Sequence, residues 1–303
     1  MYIIHDVDAL LELEQKAFIG NSIYYDANNS FLATIRHEAL YAAFVLTKEK
    51  FHEDKLICEI NSLDDLPESL DLWNKDLDSA VNLNGKLYPY GICLFNKWCS
   101  FDIVIINKSV NKKMINYVSE QIYLYHEKHN RNYYDALTEL ERKLFLFIAT
   151  TDHSPSLDIE EMVSLKDEET SRMLKSLPNN NIMLGYHICD ALVDRCIDKM
   201  NENSSLYKLY KSGSRFSKSQ LSRSCIVIGY SANAENIVIN KPIKSSLLEG
   251  LTEEQFFRVS PGTRKSIADK SKHTPSSGLI LWLTLNSSNS VDLLAIGQYR
   301  AKR

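Results

Sequence analysis

Two short stretches of this chain carry side chains whose types and spacing could do chemistry. At 212–220, SGSRFSKSQ, Gly213 lies two residues before Arg215, with Lys218 and Arg223 close behind. Small residues let the backbone approach a ligand, and a guanidinium can grip two phosphate oxygens at once. This stretch reads as a phosphate site or as a basic surface loop. At 251–283, LTEEQFFRVSPGTRKSIADKSKHTPSSGLILWL, Arg264, Ala268 and Lys272 fall on one helical face and Lys265 and Asp269 on the next. The acids offer less. Asp6 with Asp8, and Asp76 with Asp78, are pairs without a third carboxylate, whereas a two-metal site needs at least three that converge. His153 and His187 stand alone, which favours packing or capping over ligation. No catalytic residue and no metal site is expected in this chain.

The elements that must position these residues read mainly as helices. Thr252 and Gln255 have the form of a capping box, with Glu253 and Glu254 where the helix dipole favours negative charge. Pro261–Gly262 and the run Pro275, Ser276, Ser277, Gly278 are faults in that helix. Pro275 removes a donor, clashes with the Ser271 carbonyl and biases Thr274 away from helical angles. Taken alone, these faults fit two shorter helices joined by a turn. Upstream, apolar spacing predicts helices over 9–19 (Leu10, Leu13, Ala17, Phe18), 38–50 (Leu40, Tyr41, Phe44, Val45) and 110–125 (Met114, Ile115, Val118, Ile122, Tyr125). Further helices are expected at 133–148, 168–177, 187–200 and 204–210, with a polar turn at 26–30 and a loop at 179–181. Residues 61–78 are polar and acidic, a loop or short helices. Asn84–Gly85 suits a hairpin over 84–90, and 102–106 reads as a strand or extended run. Lys112 and Lys113 read as an exposed first turn. The expected class is mainly α with short β elements (α+β), without an independent barrel.

Length and composition set bounds. The 303 residues, 44% of them hydrophobic, allow two or three domains. The most apolar run, 143–151, breaks at Asp152 and His153, too short to span a membrane. The opening MYIIHDVD lacks the basic start of a secretory signal, so none is expected. Six cysteines form no CxxC pair and are too widely spaced for a zinc knuckle, so buried thiols in a reducing, intracellular setting are expected. The net charge of −4 hides a division: residues 205–303 hold 15 Lys/Arg against 6 Asp/Glu, and residues 1–204 hold 20 against 33. A basic final third suits nearby phosphates, and an acidic body argues against a free-standing DNA-coating protein.

Three blocks in the final third carry a resemblance. Gly262, Arg264, Lys265, Ala268, Asp269, Thr274, Ser277 and Gly278 match, without a gap, the pattern HGARKGLAD…KTANSGYL of the bridge helix in the largest (β′) subunit of multisubunit DNA-directed RNA polymerases. SGSRFSKSQ at 212–220 resembles that subunit's SGARGS…Q, and PIKSSLLEGLT at 242–252 its PI…NFREGLT, in the same order. Upstream, 101–126 is similar to FDIVNKLMTKKEISNMIDTVYRH, SPSLDIEEM at 154–162 to GISIGIDDM, and 10–29 to the segment that follows the catalytic aspartate loop. The resemblance covers 9–283. That loop's motif, NADFDGD, occurs nowhere in the chain.

The resemblance implies a division into 1–80 (following the absent catalytic loop), 81–153 (secondary-channel segment), 154–211 (funnel-like helices) and 212–303 (cleft loop and bridge helix). It implies one long helix across 251–283 with a weak point near Pro275. Arg215 falls on the arginine that reaches the triphosphate of the incoming nucleotide, with Lys218 and Arg223 as secondary candidates. Arg264, Lys265, His273, Thr274 and Pro275 fall where the helix would meet nucleic acid. Departures are plain: Phe216 replaces a glycine, Ser222 an arginine, Pro275 an alanine, and Trp282–Leu283 two arginines. The implied protein is one piece of a split β′ subunit, as in giant bacteriophage polymerases. Its implied partners are β-like chains, the β′ N- and C-terminal fragments, a DNA template, RNA and NTPs. Mg2+ would be held by ligands on another chain, with no zinc site and no membrane here, in the cytoplasm of an infected host or in a virion. The rival reading is a non-catalytic modulator that binds nucleic acid or a host polymerase.

Overall fold

HEALYAAFVL, residues His37–Leu46, has apolar side chains on every face, and such a helix has to be enclosed. It is. Ala39, Leu40, Tyr41, Ala42, Ala43, Val45 and Leu46 are all buried. The computed structural model describes residues 7–12, 23, 30–129, 132–179 and 181–288. In chain order its elements are α1 (Val7–Glu12), α2 (His37–Leu46), β1 (His52–Ile60), α3 (Leu70–Lys75), β2 (Ser79–Leu83), β3 (Lys86–Pro89), α4 (Tyr90–Trp98), α5 (Ile115–Lys128), α6 (Tyr133–Thr150), α7 (Ile159–Ser164), α8 (Glu168–Lys175), α9 (Ile182–Asp198), α10 (Ser205–Ser212), α11 (Lys218–Leu221) and α12 (Glu253–Ser288). The molecule is mainly helical with one three-stranded sheet, the α+β class expected, and the described residues form no barrel. Only the start of the helix expected at 9–19 is described, as α1; Asp6 and most of the 26–30 turn lie outside the described residues.

The chain divides into two compact units, Met1–Ser164 with Ile197–Gln220, and Leu165–Cys196 with Leu221–Arg303. In the first, α2 packs against α4, α6 and α10. Helix α6 contributes Tyr133, Leu137, Leu140, Leu144 and Phe147, alternating steps of four and three that make one apolar stripe. Trp98 meets Trp73 edge-on at 5.6 Å and Phe147 at 6.2 Å. In the sheet, β1 runs parallel to β2 and β2 antiparallel to β3. The β2–β3 turn is the expected Asn84–Gly85, both at positive φ (53° and 81°), as a type I′ hairpin needs. Strand β1, HEDKLICEI, is exposed over most of its length and carries no clean alternation, so its sequence hides it.

Residues 101–114 differ from expectation for one reason: their backbone bonds go elsewhere. The buried Asn96 side chain accepts the Ile105 and Ile106 N–H groups, both at 2.9 Å, and donates to the Ile106 carbonyl at 2.7 Å. Residues 102–106 therefore belong to no strand, and the chain bends at 102 and 103. The buried Thr47 hydroxyl donates to Ala43 O (2.6 Å) and accepts Val110 N–H (2.7 Å). This ends α2 at Leu46, short of the expected Lys50. Lys112 N–H donates to Ser212 O at 2.8 Å, so α5 starts only at Ile115. The strap thereby carries Lys112 and Lys113 to the end of α10.

In the second unit, Asp167 caps α8 by accepting Thr170 N–H at 2.7 Å. Leu174, Cys189, Leu192, Val193 and Cys196 are among its buried side chains. The capping box of α12 forms as expected: Thr252 N–H donates to Gln255 Oε1 (3.0 Å) and Gln255 N–H to Thr252 Oγ1 (3.3 Å). From there α12 is continuous for 36 residues through Pro261 and Pro275, so two shorter helices do not form. Every residue from 271 to 283 is exposed, so water can satisfy the carbonyl that Pro275 orphans. Thr274 and Ser276 hydroxyls also bond back, to Lys270 O (2.7 Å) and Lys272 O (3.2 Å).

Candidate functional site

The SGSR turn is built by the end of α10. Gly213 takes φ +73° at the helix C-terminus, where an L side chain would be strained. A Cβ there would also lie 2.7 Å from the Lys112 Cβ. Ser214 N–H is accepted by Ser212 Oγ at 3.3 Å, and Phe216 follows at φ +57°, its ring partly buried against the first unit's core. Ser217 and Gln220 then bond reciprocally (Ser217 N–H to Gln220 Oε1 2.9 Å; Gln220 N–H to Ser217 Oγ 3.4 Å), a capping box for α11 whose S-x-x-Q signature was legible in the sequence.

Arg215 projects from this turn. Its Nη2 and Nε both donate to Glu38 Oε1, at 2.7 and 3.2 Å, across 177 positions of chain. The Arg215 hydrogen bond holds the Glu38 carboxyl below the usual carboxylate range. A lowered folded pKa means that the pair stabilises at neutral pH and that this contribution disappears as pH falls through the folded value. Both side chains are about half exposed (51% and 44%), so the pair is worth at most about 1 kcal/mol. Around it lies a cleft of ≈ 830 Å³ lined by His37, Lys112, Lys113, Lys211, Arg215, Ser217 and neighbours. Lys112 and Lys113 are exposed, as expected, but they face the same cleft as Arg215. Spacing could not have shown that.

Two clefts gather the other candidates, both in the second unit. Arg223 and Arg264 line one of ≈ 500 Å³ with Leu247, Leu251, Phe256 and Val259. Lys265, His273 and Thr274 line another of ≈ 570 Å³ with Asn236, Asp269 and Ser277. Pro275 continues the helix beside the latter. Lys218 is in the first turn of α11. Helix α12 lies hard against residues 231–241. Arg258 Nη1 donates to Lys241 O (2.9 Å), Lys241 pairs with Glu254 (2.6 Å), and a Cβ on Gly262 would overlap the Ala232 carbonyl. Just before the helix, Glu249 would be raised by its burial. The Lys166 ammonium (2.6 Å) and Ser246 N–H (2.8 Å) outweigh that and hold it below its ordinary value.

Other titratable groups are structural. His153 stacks on Phe147 at 5.5 Å and bonds the Trp73 carbonyl (2.9 Å), its pKa lowered by burial. His187 is exposed on α9. Asp76 pairs with Lys55. None of the six cysteines is in a disulfide; burial pushes the Cys189 and Cys225 thiols to about 11 and Cys93 to about 12. Among the described residues no three His, Cys, Asp or Glu side chains converge on a common point, and no helix is long and apolar enough to cross a membrane.

Known proteins align with this sequence, one of them over most of its length. The DNA-directed RNA polymerase subunit beta' of Fusobacterium nucleatum subsp. nucleatum is 23% identical over 310 aligned residues, which take in 94% of this chain. This chain is β′-like. The beta' subunit of Thermobifida fusca is 25% identical over 63% of the chain, and that of Caldicellulosiruptor saccharolyticus 35% identical over 30%. No family model matches the chain. The β′-like chain spans 23%, 16% and 8% of these three subunits respectively. Phe216 holds a left-handed backbone angle that favours glycine.

Proposed function

We propose that this chain works as one polypeptide of a multisubunit DNA-directed RNA polymerase. In that enzyme it lines the secondary channel, presents the 212–217 turn to the incoming nucleotide and supplies α12 as the bridge helix. The observation that carries the reading is the β′ alignment over 94% of the chain; the unbroken 36-residue α12 supports it. The reaction is attack of an RNA 3′ hydroxyl on the α-phosphate of an NTP, with pyrophosphate leaving. Magnesium ions supply charge neutralisation in such reactions. On this reading the ligands of those ions come from the segment that bears NADFDGD, a motif residues 1–303 lack, and the residues of this chain bind and position. The contribution of this chain is positional. Arg215 binds triphosphate oxygens where negative charge builds up. Lys265, His273 and Thr274 lie on the α12 face that would meet nucleic acid. Splitting of the subunit in the manner of giant-phage polymerases belongs to the same proposal.

The test is affinity purification of the tagged chain from its native context, followed by templated RNA synthesis. Expected are stoichiometric chains carrying NADFDGD and a β-like sequence. Activity should fall about 10²-fold or more with Arg215→Ala while the assembly stays intact. Recovery with a complete foreign polymerase instead would favour the modulator, and recovery alone would refute the subunit reading.

A further inference from the structure

The cleft around Arg215 holds a contact with a function of its own. We propose that Glu38 is an internal competitor for the Arg215 guanidinium, and that Lys112, Lys113 and Lys211 complete an anion cleft in which a polyphosphate displaces it. The inference rests on the reading of Arg215 given above but extends it to Glu38, Lys112, Lys113 and Lys211.

Charge is the first ground. Twelve residues line the cleft; four are permanent cations and none is an acid. Such a concentration of one sign raises the local concentration of anions. Construction is the second. Lys112 is not a loose surface lysine: its N–H is tied to Ser212 O at 2.8 Å, and Gly213 leaves it room against the turn. The segment leading to it is pinned at Val110 by the buried Thr47 hydroxyl. Lys211 is now drawn over the Tyr207 ring (5.4 Å to its centre), a weak hold that leaves the ammonium within reach of the cleft.

The third ground is how Glu38 holds Arg215. Two guanidinium nitrogens converge on a single carboxylate oxygen, Oε1. A phosphate offers those nitrogens two oxygens in the parallel geometry they favour. It also meets three lysines that the carboxylate does not engage. Glu38 therefore keeps the guanidinium oriented and neutralised in an empty cleft, and loses to an anion with several charged oxygens. A monoanion gains too little to win the exchange.

The experiment is calorimetric titration of the full chain with inorganic tripolyphosphate, repeated with a single-stranded oligothymidylate. Circular dichroism melting verifies that each variant is folded. Glu38→Gln, which keeps the shape of the side chain, should tighten tripolyphosphate about three- to fivefold, the scale of one exposed ion pair. Lys112→Ala with Lys113→Ala should weaken it about tenfold. In an Arg215→Ala background, Glu38→Gln should have no effect, because the competition is gone. Unchanged or weaker binding by Glu38→Gln, or full affinity without the two lysines, overturns the proposal. So does tighter binding of the oligonucleotide with the same Glu38 dependence, which would make this a phosphodiester cleft. The titration needs no partner chain, so tripolyphosphate binding can fail while polymerase subunits co-purify, or succeed while they do not.

Discussion

Single residues determine how closely the segments of this protein approach. Gly262 admits the Ala232 carbonyl into the α12 surface, and any Cβ there forces the helix off the 231–241 segment. Gly262→Ala should cost roughly 1–3 kcal/mol, the usual penalty of overpacking, seen as a lowered thermal midpoint; an unchanged midpoint would show that the segment yields. In the β′ pattern this glycine was legible as a type, but its neighbour was not. Arg215 was legible in the same way, from a basic residue among small ones. Its partner Glu38 was hidden because 177 residues lie between them. Phe216 is the opposite case: a residue ill suited to φ +57° holds that angle with its ring packed against the core.

At the scale of elements, local signals were reliable where they describe one helix and failed where backbone bonds run to distant side chains. The capping box of α12 and the stripe of α6 follow from spacing alone. The end of α2 and the late start of α5 follow from Thr47 and Ser212, which spacing cannot reveal. Strand β1 was illegible because its charged, exposed face carries no alternation. Pro275 misleads in the other direction: in an exposed helix water can satisfy the carbonyl it orphans, and the helix continues. Its cost remains. Pro275→Ala should stabilise the second half of α12 by up to about 3 kcal/mol, read as slower amide exchange over residues 270–288. Equal exchange in both forms would mean that this half is not held by its own backbone bonds.

At the scale of the molecule, the two compact units differ in how their apolar surface is covered. In the first, seven of the ten α2 residues are buried. In the second, α12 carries Leu279, Leu281 and Trp282 at 56–61% exposed. Limited trypsin digestion of the isolated chain should cut first after Lys265, Lys270 or Lys272, leaving the first unit intact by mass spectrometry. Protection of these sites when the co-purified chains are present, and not otherwise, would show that assembly covers the helix. A first cut inside residues 30–129 would contradict the packing described here.

The reach from Glu38 to Arg215 also has a consequence in time. Helix α2 is made early, but α10, which packs on it, and the turn that carries Arg215 emerge some 170 residues later. At roughly 5–20 residues per second, the ribosome takes on the order of 10–35 s to supply them. For that interval a helix with seven side chains destined for burial lacks one of its covers. The cleft is thus among the last features of the first unit to form, and a nascent chain interrupted before residue 205 leaves the side of α2 that α10 covers without its cover.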